Sequence, residues 1–144
     1  MIDRIFDRER ELAVILRSGF RKDGVEFLTP DSYSQQLGYM NRPKGYIIYP
    51  HVHNVVARRV EFTKEVLFIK SGLIRVDFYS DDKEYLESRI LKRGDVILLA
   101  YGGHGFEMLE PSEIIEVKQG PYAGESDKIR FMPVHSSNII LKDQ

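Results

Sequence analysis

The sequence predicts an all-β domain, a sandwich or barrel of many short strands. Three observations carry that reading. From Tyr46 onward, turn signals break the chain about every ten residues. Val, Ile, Phe and Tyr fill the stretches between the breaks, while alanine occurs only four times in 144 residues. Eleven glycines punctuate the apolar runs.

Taken in order, the first element is expected to be a short N-terminal helix over residues 8–17. Leu12, Ile15 and Leu16 recur there at helical spacing, and Gly19 stands where a helix could end. Val25 to Leu28 then reads as an edge strand, stopped by Thr29-Pro30-Asp31. Residues 33–39 form a further candidate strand, and Asn41 to Gly45 a turn. The regular part follows, with strands expected over 46–52, 58–70, 73–79, 86–91, 96–99, 104–110 and 114–118. Ser71-Gly72, Ser80-Asp81-Asp82, Gly94-Asp95, Gly102-Gly103 and Gly120-Pro121 are among the breaks between them. Residues 123–144 are less patterned, and Ile139-Ile140-Leu141 reads as a final strand or a docking arm. No repeat and no low-complexity linker divides the chain, so residues 1–144 are expected to form one domain with its core over about 25–122.

Composition removes several function classes. Twenty-one Lys and Arg stand against 22 Asp and Glu, a balance that offers no broad basic field for a nucleic acid backbone. There is no cysteine, which excludes disulfides, thiolate metal sites and cysteine nucleophiles. Residues 1–11 are charged throughout and lack an apolar signal core. No apolar run approaches the roughly 20 residues of a membrane span. A cytoplasmic protein with neither nucleic acid nor membrane as partner is the expectation. No Gly-Lys-Ser/Thr phosphate loop and no Gly-x-Ser-x-Gly elbow is present.

The residues that could carry chemistry are His51, His53, Glu65 and His104. Side chains two apart on a strand leave the same face, so His51 and His53 can converge on one point. Neutral imidazoles with a carboxylate suit a divalent transition metal. Such a set leaves coordination positions open for water or substrate. Glu61 shares the strand parity of Glu65 and is its rival as the carboxylate. Tyr49 shares parity with His51 and could donate a hydrogen bond in the same pocket; packing at a barrel mouth explains it as well. Arg75 alternates with Ile74 and Val76, and could grip a carboxylate or phosphate if its face lines the cavity, or simply face solvent. Lys118 could contact phosphate or serve acid–base chemistry, or sit on a solvated edge. Glu107 is opposite in parity to His104 and is expected to point away from it, and His135 reads as exposed.

The spacing Gly45-x5-His51-x-His53, followed by Glu65-x6-Gly72 and then by Gly94 and Gly102-Gly103-His104, resembles the two signature motifs of the cupin superfamily. Eleven residues separate His53 from Glu65, more than the motif usually holds, and Ala100 replaces its proline. Stretches such as Gln36-Leu37-Gly38-Tyr39-Met40 and Glu116 to Tyr122 are similar to small bacterial cupins associated with nucleotide-sugar and polysaccharide pathways. The resemblance implies a double-stranded β-helix barrel holding one divalent metal (Zn, Fe, Ni or Mn) on His51, His53, Glu65 and His104. It implies a small carbohydrate-derived substrate with a sugar isomerase or epimerase type of activity, and Tyr49, Arg75 and Lys118 are the candidate substrate-binding residues. An iron-dependent dioxygenase and a non-enzymatic ligand-binding cupin are the alternatives. A homodimer is expected from the resemblance and from the exposed strand edges of a small barrel.

Overall fold

The structure is a computed structural model and describes residues 1–142. Ten strands are present: β1 (Ile2–Asp7), β2 (Arg10–Leu16), β3 (Gly24–Phe27), β4 (Gly38–Asn41), β5 (Glu65–Ser71), β6 (Leu73–Tyr79), β7 (Tyr85–Lys92), β8 (Val96–Leu99), β9 (Gly103–Met108) and β10 (Glu113–Lys118). They form a five-stranded sheet in the order β1-β2-β8-β5-β10, a three-stranded sheet in the order β7-β6-β9, and the separate hairpin β3-β4. Every ladder is antiparallel.

The core lies between the two larger sheets. Ala13, Ile15, Leu67, Ile69, Ile97 and Leu99 from the first meet Ile74, Val76, Phe78 and Leu91 from the second. Each β6 residue of this set alternates with a polar or outward partner, the pattern of a strand with one face on the core. Among the described residues the sheets do not close into a barrel, so the architecture is an open sandwich.

The expected N-terminal helix is corrected: residues 10–16 are strand β2. Leu12, Ala13, Val14 and Ile15 are all buried, so β2, which lies between β1 and β8 in its sheet, is covered on both faces. A continuous apolar run of this length fits a doubly covered strand as well as a helix, and the β-branched Val14 and Ile15 favour the strand. The Arg8-Glu9 step, which reads as the start of a helix, turns the β1–β2 hairpin with Arg8 at φ 55°.

Two glycines are demanded by their surroundings. Gly72 turns β5 into β6 at φ 93°, and a Cβ there would stand 2.5 Å from the Pro111 carbonyl oxygen. Gly102 enters β9 at φ 72°, where a Cβ would stand 2.5 Å from the Tyr79 carbonyl oxygen.

The chain between β4 and β5 departs most from expectation. The strand expected over 46–52 does not form, and the one expected over 58–70 begins only at Glu65. Among the described residues, no backbone–backbone hydrogen bond involves residues 47–63. The arm is tied down at its C-terminal foot. The Phe62 ring meets Tyr101 edge-on at 5.3 Å, Thr63 donates a short hydrogen bond to Asp127, and the buried Lys64 ammonium lies 4.3 Å from the Tyr101 ring. The C-terminal segment docks on β7: Ser88 N–H donates to Ile140 O at 2.8 Å, and Lys142 N–H to Ser88 O at 3.0 Å.

Candidate functional site

Among the described residues β9 is an edge of the three-stranded sheet and β10 an edge of the five-stranded sheet, and the site gathers residues of β5, β9 and β10. Glu65 opens β5 directly opposite Lys118, the last residue of β10. His104 is the second residue of β9, opposite Phe78 of β6, so its ring points to the core side of the sandwich. His104 Nε2 lies 3.3 Å from Glu65 Oε2. Lys118 Nζ lies 3.8 Å from Glu65 Oε1 and 3.5 Å from Asp127 Oδ2.

The electrostatics are mutually supporting. The hydrogen bond with His104 holds the Glu65 carboxyl below its usual range; burial opposes this, and the positive charges of Lys118 and Lys128 assist it. The hydrogen bond from Thr63 does the same for Asp127. Desolvation works against the Lys118 ammonium, but the carboxylates of Glu65, Asp127 and Glu116 outweigh it and raise its pKa. A carboxylate thus sits between an imidazole and an ammonium.

Glu65, His104 and Asp127 line a cleft of about 820 Å³, and Lys118 lines a separate, smaller pocket. The cleft runs around the free edge of β9: His104 and Phe106 line it from one face of the strand, and Gly105 and Glu107 from the other. Its polar side holds Glu65, Thr63 and Asp127. Beside Tyr79 it carries Phe131, Pro133 and Val134, with the charged Arg75, Asp77 and Glu107 further along β6 and β9.

Of the four expected metal ligands, Glu65 and His104 come together and His51 and His53 do not join them. His51 and His53 sit on the exposed arm, their rings 5.3 Å apart, and His51 Nδ1 lies 2.9 Å from Tyr49 O. Among the described residues no three His, Cys, Asp or Glu side chains gather so as to hold a metal ion. A single chain in this arrangement therefore does not fit the expected metal. Glu61 lines the cleft, and its carboxylate pairs with Arg59 at 2.7 Å.

Tyr49 is exposed on the same arm. Arg75 lies on the opposite face of β6 from the core, held by Asp77 at 2.7 Å and Glu107 at 2.7 Å. Its guanidinium lines the far side of the cleft from His104. His135 Nδ1 lies 2.7 Å from Ser137 Oγ. Sequence reasoning missed Thr63 and Asp127. Asp127 belongs to a short 3₁₀ turn (Gly124–Asp127) in the unpatterned tail, and the only signal there is the charge run from Glu125 to Arg130. No helix among the described residues is long and apolar enough to cross a membrane.

Comparison with family profiles, with curated proteins and with solved structures finds no match for this chain.

Proposed function

We propose that this chain is a small-molecule-binding domain of cupin type that moves a proton on a small, polar, carbohydrate-derived substrate, as a sugar isomerase or epimerase does. The observation that carries the reading is the His104–Glu65 pair, 3.3 Å apart at the mouth of the cleft. An imidazole oriented by a carboxylate is a competent general base and, once protonated, a general acid. Taking a proton from carbon beside a carbonyl leaves negative charge on oxygen, and Lys128, a cation that lines the same cleft, supplies the complementary charge. The substrate class comes from the motif resemblance alone.

The resemblance also calls for a divalent metal, which would polarise a substrate carbonyl. With His51 and His53 on the arm, only half of the expected donor set faces the cleft, and no step is assigned to a metal here.

The test is hydrogen exchange from solvent D₂O into a panel of nucleotide-linked keto-sugars, followed by proton NMR. Wild-type protein is expected to exchange the proton beside the carbonyl, with the rate falling about 100-fold or more in His104→Asn. Exchange at equal rate in His104→Asn, or none with any member of the panel, would overturn the proposal.

A further inference from the structure

Among its described residues the chain contains a strand-like segment with no partner and a strand edge with no neighbour. Residues 46–53 alternate in the manner of a strand: Tyr49, His51 and His53 take one face, and Ile48, Pro50 and Val52 the other. The arm stands off its own body, with Val52 90% and Val55 104% exposed. Ile47, Ile48 and Val56 are also exposed, making an apolar stretch of a kind that soluble chains cover. The edge is that of β9, which pairs with β6 on one side and, among the described residues, with nothing on the other.

We propose that residues 46–53 of one copy add as a strand to the free edge of β9 in a second copy, and that the exchange is reciprocal. Three features of the cleft fit this occupant. It is lined from both faces of β9, as it must be if the missing element lies beside the strand rather than above it. Its lining offers both polar and apolar groups, as the arm does. Glu65, Thr63 and Asp127 suit Tyr49, His51 and His53, while Phe131, Pro133 and Val134 suit Ile48 and Val52. Pro50 lacks an N–H, which is tolerated where that residue's backbone faces outward from a sheet edge. Strand addition of this kind draws affinity from main-chain hydrogen bonds and specificity from alternate side chains. A two-fold exchange uses both arms and both edges and closes on itself. It also delivers His51 and His53 of the partner subunit to the mouth where Glu65 and His104 already meet.

The absence of cysteine makes the test clean. Val52→Cys is placed in a chain with one affinity tag and Glu107→Cys in a chain with another; the two are refolded together and treated with a short bismaleimide. Glu9→Cys, on the β1–β2 turn, replaces Glu107→Cys as control. The expected result is a cross-link between differently tagged chains for Val52/Glu107 and its loss for Val52/Glu9. Sedimentation should give twice the 16.8 kDa chain mass for wild type. Ile48→Asp/Val52→Asp should sediment as a monomer. A cross-link confined within a doubly substituted chain would place the arm on its own β9 and overturn the proposal. So would a wild-type monomer, or a dimer that persists in Ile48→Asp/Val52→Asp. If that variant fails to fold, the cross-linking result decides alone. None of these readouts uses turnover, so they stand apart from the test of the His104–Glu65 chemistry.

Discussion

Arg17, just past the end of β2, joins three elements through one guanidinium. It donates to Asp3 of β1 at 2.6 and 2.9 Å, to Asp95 in the turn before β8 at 3.0 Å, and to the Ile90 carbonyl of β7 at 2.6 Å. All three charged side chains are largely shielded from water. Removing a buried member of such a network leaves its partners' charge uncompensated, which costs several kcal/mol. Arg17→Ala is expected to lower unfolding free energy by about 3 kcal/mol in urea titration. Arg17→Lys should recover only part, because an ammonium cannot span the same acceptors. Glu87 offers a pH test outside the site. Burial pushes its carboxyl up, but hydrogen bonds from Lys142 and Arg89 outweigh that and hold it below its ordinary 4.5. A carboxyl depressed in the folded state stabilises the fold above its unfolded pKa, and that stability is lost as pH falls through the folded value. Melting temperature should therefore fall below about pH 4.5. The fall should be shallower in Glu87→Gln, as read by circular dichroism melts from pH 7 to 3.

At the scale of elements, turns decide where strands meet. Gly72 holds a left-handed conformation with backbone of the Pro111-Ser112 segment pressed against its Cα. Gly72→Ala is expected to cost about 2 kcal/mol, seen as a lowered urea midpoint with unchanged slope, because both the positive φ and the crowding penalise a methyl group. This turn, like those at Gly94 and Gly102, was legible in the sequence, and so β5 to β10 follow the breaks read there, apart from the late start of β5. β2 was not legible as a strand, since burial on both faces erases the alternation that would distinguish it from a helix. The Glu65–His104 half of the site could be read from motif spacing, because both residues lie on strands whose register those turns fix. Thr63 and Asp127 could not, because they meet through tertiary packing of two segments without periodicity. The pattern over 46–52 was read as a strand, but a strand pattern specifies a face and not a partner, and the described residues of this chain supply none.

For the whole molecule, the β9 edge, unpaired among the described residues, and the exposed arm are the two features that the proposed exchange would join. A small domain that leaves Ile47, Ile48, Val52 and Val55 in water forgoes burial it can ill do without, while the β9 edge offers backbone groups with no strand beside them. If exchange between copies supplies the cover, stability is linked to protein concentration, and the melting temperature should rise as concentration rises. A monomer with an independent arm would melt at the same temperature throughout. The same linkage reaches the donor set. Each cleft holds Glu65 and His104 of its own chain, and His51 and His53 can arrive only with the arm. Wild type should therefore retain about one divalent transition metal per chain after purification without a histidine tag, as four such donors bind one ion. The monomeric Ile48→Asp/Val52→Asp variant should lose it although every donor residue is intact. Plasma mass spectrometry of the two proteins side by side is the measurement. Metal retained by a monomeric variant would mean that each chain gathers its own ligands and that the arm folds home. Metal absent from both, even after reconstitution, would leave the His104–Glu65 pair to act without an ion.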